Sequence, residues 1–245
     1  MNAEPAAQLR LLDVQAEDTT LAQLAHRRSH LPELSAIATA EARSQELADD
    51  IIRAQTDVDD LVREQQRIDR DVEQVRTRAE RDGQRMQVGA GPAKELASLQ
   101  HEIETLARRQ SVLEDAELEV MENREQAEGR LNALRADAEK VDAELAQLRE
   151  RRDAAFAEID RQVAAEQADR RQLAAGLPEA LLNLYEKIRV QSGTGAAPLR
   201  QRRCEGCRIE LSGNELTLVR NAAPDLVLRC EECRRILVRT AESGL

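Results

Sequence analysis

From position 96 to 159 apolar residues return in steps of three and four: Leu96, Leu99, Ile103, Leu106, Leu113, Val120, Ala127, Leu131, Leu134, Ala138, Val141, Leu145, Leu148, Ala155 and Ile159. Gln110, Glu117, Arg124 and Arg152 hold the same register but are polar. This alternation averages 3.5 residues per turn and keeps one narrow stripe turned toward a partner helix. The stripe is 64 residues long, about 95 Å at ~1.5 Å per residue. A similar run precedes it: Leu47, Ile51, Ala54, Val58, Leu61, Ile68, Val72, Val75 and Ala79, with Gln65 as its one polar member. Two such stripes in one chain predict a mostly α fold, a long antiparallel coiled-coil hairpin.

The reversal falls at Asp82-Gly-Gln-Arg-Met-Gln-Val-Gly-Ala-Gly-Pro92, where three glycines and a proline stop both helices. Pro32 lacks the donor for a continuing helix but suits a first turn, so the first arm is divided there. The expected helices are 5–28, 32–82 and 93–175, with a tip loop at 83–92. The expected domains are a hairpin over 1–175, a short helix and linker over 176–199, and a zinc ribbon over 200–245. Facing positions should total about 175 in residue number, which places Leu61 near Glu114, Leu24 near Arg151 and Gln65 near Gln110. The two glutamines either form a polar layer that fixes register or turn outward. Leu9, Leu12, Leu21 and Leu24 are the expected seam of the first helix. Glu179 to Val190 reads as the short helix, and Leu226–Leu228 and Ile236–Val238 as short strands.

Composition agrees with the stripes. Charged residues make up 34% of 245, and Phe156 and Tyr185 are the only aromatics, too few for a conventional core. The start has no basic stretch followed by an apolar run, and no apolar stretch is long enough to span a bilayer. A cytoplasmic protein without membrane contact is therefore expected.

All four cysteines lie near the end, as Cys204-Glu-Gly-Cys207 and Cys230-Glu-Glu-Cys233, with 22 residues between the pairs. Two residues between thiols let both sulfurs face one point, and two pairs supply the tetrahedron that Zn²⁺ prefers. A thioredoxin-type redox motif needs one pair within a βαβ pattern that is missing here, and structural disulfides suit secreted chains. One structural zinc held by Cys204, Cys207, Cys230 and Cys233 is the expected cofactor. Residues 196–245 hold nine arginines against seven acids, a balance of +2 in a chain of net charge −11. A four-thiolate zinc adds −2, so the loaded tail is near neutral.

Five segments, in this order and spacing, resemble bacterial zinc-ribbon proteins built on a long coiled-coil hairpin and described as nucleic-acid-binding. They are Lys94-Glu-Leu-Ala-Ser-Leu-Gln-His-Glu-Ile103, Leu113-Glu-Asp-Ala-Glu-Leu-Glu-Val-Met-Glu122, Leu177-Pro178 with Leu184-Tyr185-Glu-Lys-Ile-Arg189, the first cysteine pair, and Cys230 through Val238. The resemblance implies the same hairpin and ribbon. It also implies association with flagellar or type III secretion and an alternative sigma factor as a chaperone or adaptor, and RNA binding in one lineage. Where that family places Gly after the last cysteine, this sequence has Arg234.

No catalytic constellation stands in the sequence. His26, His30 and His101 lie far from the cysteines, no phosphate loop is present, and a metal with four thiolate ligands has no open position for a catalytic water. A non-enzymatic adaptor or chaperone is therefore expected, with a protein partner. Leu118, Met121, Ile52 and Val62 lie off the seams and call for a partner, whether a client or a second copy of the chain forming a homodimer. The alternative is a nucleic-acid-binding ribbon that reads phosphates through Arg200, Arg202, Arg203, Arg208, Arg234 and Arg235. Against it stand the near-neutral tail and the lack of aromatics for stacking. A hairpin tip inserted into RNA polymerase ranks third, because Arg81, Arg85 and Lys94 surround this tip.

Overall fold

A computed structural model describes residues 1–89 and 91–245. The chain forms helices α1 (Pro5–Ser29), α2 (Pro32–Val88), α3 (Ala93–Ala175) and α4 (Glu179–Ser192). Strands β1 (Ala196–Arg200) and β2 (Arg203–Cys204), helix α5 (Gly213–Asn221), and strands β3 (Leu228–Arg229) and β4 (Ile236–Arg239) follow. Contacts divide it into two units, residues 35–149 and residues 1–34 with 150–245. The first helix thus belongs with the ribbon, where the sequence had grouped it with the whole hairpin.

In the unit of residues 35–149, α2 and α3 run antiparallel along the two expected stripes. Ala54, Val58 and Leu131 form one buried cluster, Ile68, Val72 and Leu113 another, and Ile37, Ala40, Val141 and Leu145 a third. Arg76 donates to Glu114 at 2.8 Å and Arg149 to Glu41 at 2.8 Å along the flanks. Facing positions total about 185 in residue number, ten more than expected. The cause lies at the turn: α2 continues past 82 because its stripe runs on through the buried Asp82 and half-buried Met86. A glycine inside a helix costs only about 1 kcal/mol, so Gly83 does not end it. Gly89, at φ 64°, stops α2 instead, and Ala90 of the expected tip loop lies outside the described residues. Gln65 accordingly meets Arg124, which donates to it at 2.6 Å, while Gln110 donates to Glu114 of its own helix at 2.8 Å. The expected pairing of Gln65 with Gln110 is corrected, and so is that of Leu24 with Arg151, since Leu24 packs on Ile159.

In the other unit, α1 lies on the sheet and against α4. Its buried stripe is Ala7, Leu11 and Val14, whereas the expected seam residue Leu9 is 46% exposed. With Leu181, Tyr185, Ile188, Ala196, Ile236 and Val238 these form the main core of the unit. The strand order is β2-β1-β4-β3, with β1 and β4 parallel and the outer pairs antiparallel. Part of the expected linker is therefore β1, in which Ala196, Ala197 and Leu199 are buried. Gly195 precedes it in close approach, since a Cβ there would lie 2.5 Å from the Tyr185 ring. Helix α5 begins in a capping box: Glu215 N–H donates to Ser212 Oγ at 3.3 Å, and Ser212 N–H to the Glu215 carboxylate at 2.7 Å.

Three polar residues are buried on α1: Gln8, Gln15 and Asp18. Asp18 accepts two bonds from Arg170, at 2.7 and 3.0 Å, and one from the Tyr185 hydroxyl at 2.6 Å. Burial raises the pKa of Asp18, but these hydrogen bonds and the charges of Arg170 and Arg189 outweigh it and lower the pKa overall. Glu186 accepts from both Arg170 and Arg189 and completes the cluster.

Candidate metal centre

Each cysteine pair sits on a tight turn. Arg208 N–H donates to Cys204 O at 2.7 Å in the first, and Arg234 N–H to Cys230 O at 3.0 Å in the second. The residue after each second cysteine, Arg208 at φ 61° and Arg234 at φ 62°, is left-handed. Arg234 thus adopts the conformation for which the resembling family uses glycine, and the first turn makes the same demand.

The turns gather all four thiols, whose Sγ atoms lie within 4.8 Å of one another. Cys204 Sγ and Cys233 Sγ are 3.8 Å apart, as are Cys207 Sγ and Cys230 Sγ. A tetrahedron with Zn–S bonds of ~2.3 Å has edges of about 3.8 Å, whereas a disulfide would need about 2.05 Å. The residues therefore fit one structural Zn²⁺. Burial pushes the Cys204 thiol up to about 12. For Cys233 burial also raises, but hydrogen bonds from the Arg235 backbone and side chain and from the neighbouring cysteines bring it down to about 7. Zinc, when bound, would hold the four as thiolates and bind the two turns into one fold. Ala197, Leu199, Leu211, Val219 and Leu237 pack around Cys204 and Cys230.

The six arginines weighed for nucleic acid have different fates. Arg235 spends its guanidinium on three carbonyls, those of Thr194, Gly206 and Ser192, each at 3.2 Å. Arg200 pairs with Glu242, and Arg202 donates to Gly244 O at 3.2 Å. Arg203, Arg208 and Arg234 are exposed. Arg239, which the sequence did not single out, donates to the carbonyls of Val219, Ala222, Ala223, Pro224 and Leu226 and anchors the end of α5. Nothing in its sequence context marks that role; helix α5 was missed as well, and the capping-box pattern Ser212-Gly-Asn-Glu215 is the signal that could have found it. Among the described residues no helix is long and apolar enough to cross a membrane.

Comparison with known proteins matches residues 14–193 to a CT398-like coiled coil hairpin domain and residues 203–237 to a C4-type zinc ribbon domain. An uncharacterized protein of Mycobacterium tuberculosis is 38% identical over 239 residues, 98% of each chain. One of Mycobacterium leprae is 31% identical over 217 residues, 88% of this chain and 93% of its own. A structure from Mycobacterium smegmatis superposes with a TM-score of 0.88 at 36% identity, over 98% of this chain and 100% of that one. CT398 from Chlamydia trachomatis, at 18% identity and a TM-score of 0.72 over 96% of this chain and 98% of its own, shares the fold. With a hairpin model covering most of its length and a C4 ribbon at its end, the chain belongs to the family of CT398-like coiled-coil hairpin proteins.

Proposed function

We propose that this protein is a non-enzymatic adaptor, in which zinc stabilises one end and the hairpin offers a protein-binding surface. The observation that carries the reading is the pair Leu118 and Met121, three residues apart on α3, which are 59% and 42% exposed. Ile52 on α2 is also exposed, whereas Val62, expected to be free, packs beside Val58. Apolar side chains outside a satisfied seam favour a partner. The closed four-thiolate set supports a structural metal, since it leaves no position for a reacting ligand.

Nucleic-acid binding is the second reading, and Arg203, Arg208 and Arg234 are the side chains that favour it. Three phosphate contacts would give a shallow dependence of log K on log salt, with a slope of about −2 to −3. The two readings separate in a pull-down from native cytoplasm, with and without nuclease, using wild type, Leu118→Asp/Met121→Asp and Arg203→Ala/Arg208→Ala/Arg234→Ala. The adaptor reading expects a partner that survives nuclease and the arginine changes but is lost with the hairpin pair. Loss on nuclease treatment, or with the arginines alone, refutes it.

A further inference from the structure

A continuous set of hydrogen bonds joins the thiol cluster to the N-terminal helix. The Arg235 carbonyl accepts from Cys230 N–H at 3.0 Å, inside the second cysteine turn. Its guanidinium ties Gly206, inside the first turn, to Ser192 and Thr194 at the end of α4. The next two residues, Gly195 and Ala196, donate their N–H groups to the buried Gln15 Oε1 at 2.7 and 3.3 Å. Tyr185 donates its hydroxyl to the same oxygen at 3.2 Å. The start of the chain is held from the ribbon as well. Ala3 N–H donates to Asp225 O at 2.8 Å and Val227 N–H to Met1 O at 3.1 Å, while Gln8 donates to Pro224 O and Asp225 O.

We propose that zinc occupancy governs the docking of Met1–Gln15: the metal-closed ribbon clamps this segment, and loss of the metal releases it. The small core includes the buried thiols of Cys204 and Cys230, so the two turns bridged by Arg235 depend on the ion, and residues 225–227 lead directly into the second of them. When they loosen, Gln15 loses the Gly195 and Ala196 donors and Gln8 loses the Pro224 and Asp225 acceptors while keeping Ala3 O at 2.8 Å, and a buried amide with fewer partners favours leaving an apolar site. The release is bounded. From Asp18 onward the helix has its own anchors in Arg170 and in the packing of Leu24 on Ile159, neither of which touches the ribbon. The vacated seat is the apolar face of Leu181, Tyr185 and Ile188, so the metal state would be read out as an exposed hydrophobic surface.

Hydrogen exchange on the full chain, zinc-loaded and chelator-stripped under reducing conditions, tests this. Stripping is expected to cut protection of the amides of 9–15 at least tenfold and to leave those of 20–28 and 50–80 within about twofold. Unchanged protection at 9–15, or equal loss across 9–28, overturns the proposal. Arg235→Ala in excess zinc should raise exchange at 9–15 while the bound zinc remains one per chain; wild-type exchange with zinc retained overturns the link. Should that variant lose its metal, Gln15→Met, remote from the thiols, decides. It should keep zinc and shrink the difference between loaded and stripped protein at 9–15, and an undiminished difference refutes the pathway.

Discussion

Asp18 is the residue whose loss should cost the ribbon-bearing unit most for the fewest atoms. Its side chain is 5% exposed and faces Arg170, itself 19% exposed, with Arg189 at 3.5 Å. Asp18→Ala removes the acceptor for two Arg170 bonds and for the Tyr185 hydroxyl. Removing one partner of a buried ion pair costs about 3–5 kcal/mol, mostly through the charge left behind. Here Glu186 still pairs with both arginines and offsets one of their two charges, so a value near the lower end, about 3 kcal/mol, is expected. The chain has one tyrosine and no tryptophan, so tyrosine fluorescence during urea unfolding reports on this site alone. Asp13→Ala, an exposed acid five residues earlier, serves as the control and should stay within about 0.5 kcal/mol of wild type. If Asp18→Ala unfolds at the same urea concentration as the control, the network contributes nothing to stability and the argument fails. The pH dependence carries the sign: the folded pKa of Asp18 lies below the ordinary value of 3.8. Its contribution is therefore present above pH 3.8 and fades as pH falls through the lower folded value.

Glu17 predicts the opposite slope. A hydrogen bond shared with Glu166, then burial and the charges of Glu166, Asp169 and Asp13, raise it from 4.5 to about 7. The folded state therefore holds its proton longer, and this stability is lost as pH climbs from 4.5 through 7; Glu17→Gln should flatten that decline in urea midpoints. Metal analysis should find one zinc per chain, and serine at any of Cys204, Cys207, Cys230 or Cys233 should release it while total helicity by circular dichroism falls only slightly; full zinc retention would refute the four-ligand site. Arg208→Gly and Arg234→Gly each relieve a left-handed side chain, worth ~1–2 kcal/mol, against ~0.5–1 kcal/mol of added backbone entropy. Each should bind zinc about threefold tighter in chelator competition, and weaker binding would show that the arginine side chains serve the turn. Leu131→Ala, at a buried seam position, should destabilise the hairpin by about 2–4 kcal/mol in thermal melts, with Arg63→Ala nearly silent.

The stripes of α2 and α3 were legible because a 3.5-residue period survives any local detail, and the thiol spacing named the metal chemistry directly. Axial register was not: periodicity fixes which face is buried, while the offset depends on where the turn falls, and Gly83 looked like an ending that the stripe through Met86 carries past. The burial of Leu11 rather than Leu9 needs knowledge of the sheet beneath α1. That sheet rests on a parallel pairing of β1 with β4, about 40 residues apart in sequence, which no local pattern announces. The polar anchors Gln8, Gln15 and Asp18 were hidden for a related reason, since their partners come from Pro224, Gly195 and Arg170.

The discontinuous unit imposes an order on synthesis. Its first 15 residues leave the ribosome long before residues 181–238, which supply their seat. At roughly 5–20 residues per second, the intervening stretch takes on the order of 10–40 s to make. During that wait Leu11 and Val14 have no sheet to cover them, whereas residues 35–149 can already close on themselves. A nascent chain stalled after Arg149 should therefore carry a protease-resistant hairpin and a cleavable α1.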